Sequence, residues 1–243
     1  MKSFNNDPKL KEMLIEETVK HREADEIIQG SYVKDGKYCA VGCSIHTLNV
    51  KLGKEYRHND HSVYETELGI PRIIARLEDG IFEGLDKEEA KTFPERFISA
   101  IPVGVDLEMV WSKFAVWLLG DAEHGVIKFA KTDAQKKPIQ DIVDLYIKKV
   151  AGENIEIEKW RMARSAAYAA DAAAYAADAD TAAYAAAAYA AFATADATAD
   201  TASYAAAAAA YAAAAAAAAA HDAKEKARKI QANKLIDILR ESE

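Results

Sequence analysis

The chain has 243 residues and a formal charge of −8, from 31 basic and 39 acidic side chains. A chain of this length forms one large domain or two ordinary ones and buries roughly 70% of its unfolded surface, so it folds without staples. The net acidity argues against non-specific attraction to nucleic-acid phosphates or anionic membranes.

The opening "MKSFNNDPKLKEM" holds no apolar core segment, so no signal peptide is expected. Cys39 and Cys43 lie four residues apart and make no disulfide framework, which suits a reducing compartment. A soluble, cytoplasmic protein is the expectation.

In chain order, Asp7-Pro8 supplies an N-cap and a first-turn proline, and Gly30 offers a stop. Asp35-Gly36 is a turn signal that places Cys39 near a helix start. Ser62 with Glu65 has capping-box spacing, and Gly69 stands just past the expected helix end. Asp86 with Glu89 repeats that signature. Asp106 precedes Leu107, Val110, Trp111, Phe114 and Leu118, one apolar helical face. Val126 to Ala130 ("VIKFA") is the only strand-like run, and a lone strand has nothing to pair with. A further apolar stripe (Ile139, Ile142, Tyr146, Val150) follows Pro138.

All 5 prolines and all 11 glycines lie at or before Gly152. That shift divides the chain into an N-terminal domain of short helices, 1–153, and an Ala-rich segment, 154–243. Of the 63 residues from Arg161 to Ala223, 40 are alanine, the strongest helix former. Asp171, Asp178, Asp180, Asp196 and Asp200 interrupt the run, and each would be costly inside a bilayer. One helix from Ile157 to Arg240 would be about 125 Å long and lacks the heptads to support it. "DTAAY" at Asp180 and "DTASY" at Asp200 carry residues that favour helix starts, so the segment is expected to fold back as an antiparallel array. The alternative is a continuous helix, above all near His221-Asp222. Alanine lets helices approach, and tyrosine fills the holes between them. The fold class expected is all-α.

Candidate chemistry gathers in "GSYVKDGKYCAVGCSIH" and "RHNDHSVYETELGIP". On a helix Cys39, Cys43 and His46 share one face, and His58 and His61 follow. Three readings compete. Cys39, Cys43, His46 and His61 could bind a metal, with zinc the ion such ligands suit. Cys39 could be a thiol nucleophile activated by a helix N-terminus and by His58 or His61. The third, and the preferred one, is two buried thiols in a core and histidines on a loop. His21 reads as surface, His124 as loop, and "EDGIFEGLDKEE" lacks the alternating ligands of a calcium loop. No phosphate-binding loop, dinucleotide fingerprint, serine-hydrolase elbow or zinc-protease motif is present.

The segments "CAVGCSIH", "YETELGIP", "LEDGIFEGL" and "PERFISAIPVGVDL", with the Ala-rich tail, resemble a group of uncharacterised bacterial and phage proteins over nearly the whole chain. The tail is also similar to the alanine-rich helices of Imm-5-like immunity proteins. The resemblance implies a prokaryotic or viral setting, the host cytoplasm if phage-encoded, and a role in conflict between phage and host. The leading expectation is therefore a non-enzymatic helical protein that sequesters a small molecule or binds a partner protein. His58, His61, Tyr64, Tyr168, Tyr175 and Tyr184 are its candidate ligand contacts. The alternatives are a metal- or thiol-dependent protein centred on Cys39, Cys43, His46, His58 and His61, and a structural module that associates into oligomers through Ala/Tyr faces.

Overall fold

The computed structural model describes residues 1–176 and 220–243. Their architecture is all-α. The helices are α1 (Pro8–Glu23), α2 (Ala40–Leu52), α3 (Ser62–Leu68), α4 (Arg72–Phe82), α5 (Lys87–Ala100), α6 (Val110–Gly120), α7 (Asp133–Val150), α8 (Ile157–Ala176) and α9 (Ala220–Arg240). No helix among the described residues is long and apolar enough to cross a membrane.

Side-chain caps start α1, α2, α5 and α7. The Asp7 carboxylate accepts from the Lys9 N–H ahead of Pro8, and Asp86 accepts from the N–H groups of both Glu88 and Glu89. α1 stops at Glu23 rather than reaching Gly30, because Asp25 turns into the left-handed region (φ 54°). Asp35-Gly36 does turn the chain, closing a two-residue hairpin between β1 (Val33–Lys34) and β2 (Lys37–Tyr38). His61, not Ser62, is the cap position of α3, and Gly69 ends it at φ 60°. A Cβ on Gly69 would sit 2.0 Å from the Lys2 carbonyl oxygen, so only glycine fits there.

One expected element differs. Val126–Phe129 is a single 3₁₀ turn rather than a strand, since it has no strand to pair with. α7 begins at Asp133, before Pro138, because Thr132 and Gln135 form a reciprocal capping box that starts the helix upstream of the proline.

The chain divides into two compact units. The first comprises Met1–Val110 with Ala232–Glu243, and the second Trp111–Gln231. The compositional boundary near residue 153 therefore falls inside the second unit. In the first, α1 packs on α5 and α2, and α2 packs on α4, around fully buried Phe4, Leu14, Ile45, Phe82, Phe93 and Phe97. Arg96 donates to Asn233 at 2.6 Å, fastening α5 to the end of α9, whose Leu235 and Leu239 are buried.

In the second unit α7 packs along α8. Trp160, Ala163 and Ala167 form the buried face of α8, so small side chains permit the approach, as expected for alanine. Trp111 Nε1 donates to the Tyr146 hydroxyl at 3.0 Å, and the Tyr146 ring meets Trp160 edge-on at 4.9 Å. His221 and Asp222 lie within α9, which makes that part of the tail continuous helix. The helix restarts expected at Asp180 and Asp200 lie outside the described residues.

Candidate metal centre

Cys39 is the N-cap of α2. Its extended backbone (φ −74°, ψ 179°) takes it out of the helical face that Cys43 and His46 continue. The three residues diverge for that reason. Cys43 Sγ turns back to the Tyr38 carbonyl at 3.9 Å, while His46 stacks on the Tyr38 ring at 4.3 Å.

Cys39 Sγ instead meets α4. It lies 3.9 Å from Asp79 Oδ1 and accepts the Gly42 N–H at 3.3 Å. Asp79 on α4 and Glu83, its C-cap residue in helical backbone, are four apart and so share a face. One ligand atom each from Cys39, Asp79 and Glu83 lies within 4.8 Å of the others.

The surroundings fix this cluster. Asp79 Oδ2 accepts from the Tyr32 hydroxyl at 2.9 Å and lies 3.0 Å from His61 Nε2. The opposite ring nitrogen, Nδ1, is 3.0 Å from the Asn59 carbonyl, so His61 is held at both ends. Glu83 Oε2 accepts the Gly30 N–H at 2.6 Å. Hairpin, loop, α2 and α4 therefore converge on Asp79.

Nearby donors only partly offset the negative charge of the cluster. Burial, and then the Asp79 carboxylate, push the Cys39 thiol far above its ordinary range. Glu83 is exposed at the surface; its partial desolvation raises the carboxyl, with Asp79 adding to the effect and the Gly30 N–H opposing it. Burial raises the Tyr32 phenol, with the Asp79 charge second. A fully buried thiol facing carboxylates is a poor nucleophile in this form, because the attacking species is the thiolate. A divalent cation would have the opposite effect, deprotonating a coordinating thiol outright.

The sequence-predicted residues scatter around this centre. His61 supports it through Asp79. His58 belongs to an aromatic cluster with Tyr38 and His46, at centroid distances of 5.3 and 6.0 Å. His21, expected at the surface, is buried in the same cluster, with Nδ1 2.7 Å from Glu26. Tyr64 is fully buried, so it cannot contact a ligand at the surface. Tyr168 is exposed on α8; the side chain of Tyr175, and Tyr184 altogether, lie outside the described residues.

Asp79 and Glu83 were missed by sequence reasoning, although their segment was read. The available signal was D-x-x-x-E, which aligns two carboxylates on a helix but not on a calcium loop. No family model, curated protein or solved structure matches this chain.

Proposed function

We propose that this chain is a helical binding protein whose ligand is a divalent transition-metal ion, held by Cys39, Asp79 and Glu83. The observation that carries the reading is the convergence of one thiol and two carboxylates within 4.8 Å, with the Asp79 charge opposing ionisation of both Cys39 and Glu83. Ligand atoms on a tetrahedral zinc ion stand about 3.5 Å apart, close to the 3.9 Å between Cys39 Sγ and Asp79 Oδ1.

Zinc suits the mixed sulfur and oxygen set. The Gly42 N–H favours the thiolate that coordination requires. Tyr32 and His61 would act as positioning residues, orienting Asp79 so that Oδ1 faces the ion. Three protein ligands leave a position for water or a small ligand. A cytoplasmic, prokaryotic or viral setting belongs to this reading, because a reducing compartment keeps Cys39 a free thiol.

The test is zinc titration of the purified full chain, with cobalt(II) as a spectroscopic substitute. One ion should bind per chain, and cobalt should give a sulfur-to-metal charge-transfer band that Cys39→Ser abolishes. Asp79→Asn and Glu83→Gln should each weaken binding by about tenfold or more. Absence of the band, or undiminished affinity in all three variants, overturns the reading.

A further inference from the structure

A second concave site lies in the first unit, between the connection from α1 to β1, Lys37 of β2, the end of α4 and the first turns of α5. It is partly open to solvent and holds about 380 Å³. That volume lies within the ~300–1,000 Å³ of ordinary small-molecule sites.

The floor is apolar. Ile27, Phe82 and Ala90 reach the cavity, yet each belongs to the buried core. One wall is pinned in place: Gln29 Nε2 donates to the carbonyls of Phe82 and Leu85 at 2.8 and 2.9 Å. The cavity therefore exists before any ligand arrives.

The rim is cationic, formed by Lys37, Lys87 and Lys91. Against those three ammonium groups stands one carboxylate of the lining, Asp25, on a chain whose overall charge is −8. Asp25 Oδ2 takes the Lys37 ammonium at 3.1 Å, and Oδ1 lies 3.4 Å from that of Lys91. A single exposed carboxylate thus bridges two lysines from different elements, from a backbone in the left-handed region. Exposed bridges of this kind contribute little to stability and exchange readily.

We propose that this cavity binds a small anionic amphiphile, a molecule with one carboxylate or phosphate head and a short apolar body. Asp25 holds the position of the head, which displaces its carboxylate and takes over Lys37 and Lys91. The apolar body lies on Ile27, Ile28 and Ala90, with Phe82 beneath them. Lysine ammonium groups act as point charges and do not demand the bidentate geometry that arginine imposes, so both head groups are accommodated. The volume suits a small molecule rather than a polymer, and none of the lining residues is a ligand of the metal centre.

The experiment is titration of octyl phosphate, below its micelle concentration and with a chelator present, into the full-length protein. Calorimetry and methyl NMR follow binding. Saturable binding is expected, with the largest shifts at the methyls of Ile27, Ile28 and Ala90. Inorganic phosphate alone and octanol alone should each bind at least about tenfold more weakly, since each supplies half of the contacts. Lys37→Gln with Lys91→Gln should cost about tenfold, and Asp25→Asn should tighten binding at low salt. Octanoate run in parallel distinguishes a carboxylate source from a phosphate source. No saturable binding by either amphiphile, octanol binding as well as octyl phosphate, shifts centred elsewhere, or undiminished affinity in the double lysine variant each overturn the proposal.

Discussion

His61 Nε2 stands 3.0 Å from Asp79 Oδ2, with the imidazole fully buried and the carboxylate 13% exposed. The two side chains come from the cap of α3 and the last turn of α4, and their contact sets where Asp79 Oδ1 points. His61→Asn shortens the reach and frees the carboxylate to rotate. Zinc affinity should fall by ~10–100-fold, the usual effect of losing an orienting partner. Titration calorimetry checks this, and unchanged far-UV circular dichroism separates a positioning role from a loss of fold.

Acid should loosen the histidine cluster. Burial lowers His46, reinforced by His21 and His58, and burial alone lowers His58. The surrounding groups are Tyr38, stacked on His46, with Glu26 and Glu17 opposing the shift of His46. Depressed folded-state values mean that the unfolded chain takes up protons first. The stability from these neutral rings is present above about pH 6.5 and is lost as the pH falls through the lower folded values. Melting temperature should drop on acidification over that window, and His46→Gln should flatten the drop.

Gly42 is fixed by contact rather than by conformation. A Cβ there would stand 2.3 Å from the Tyr32 carbonyl oxygen, and backbone cannot step aside cheaply. Gly42→Ala should destabilise by about 2 kcal/mol or more, read from the urea midpoint. Zinc affinity should fall with it, because the Gly42 N–H caps the Cys39 sulfur.

Glu78 is a cost carried by the core. Both of its oxygens are buried without a hydrogen bond of good geometry among the described residues, although the Tyr64 hydroxyl adjoins them. Burial raises the carboxyl well above its ordinary range. Glu78→Gln keeps the shape and removes the ionisable group, so near neutral pH it should stabilise the protein by ~1–3 kcal/mol. Chemical denaturation at neutral pH measures the difference.

By itself the sequence determined the helical class and many of the stops and starts. Asp7-Pro8, the Asp86 cap, the Asp35-Gly36 turn and Gly69 act on backbone groups within a few residues, so their effect is local and written in spacing. Most of the apolar stripe of α7 was readable for the same reason, with Ile139, Ile142 and Tyr146 buried, while Val150 at its end is exposed. Cys39 was placed near a helix start, but its neighbours were assigned as though it lay inside the helix. One residue of extended backbone separated it from Cys43 and His46.

Only the tertiary structure decided which groups meet. Cys39 and Asp79 are 40 residues apart, and His61 and Asp79 are 18 apart. Their contacts follow from α2 and α3 both packing on α4. Helix propensity and capping fix directions along each element. Which faces meet is set by burial of side chains distant in sequence, and that choice brought a thiol and two carboxylates together.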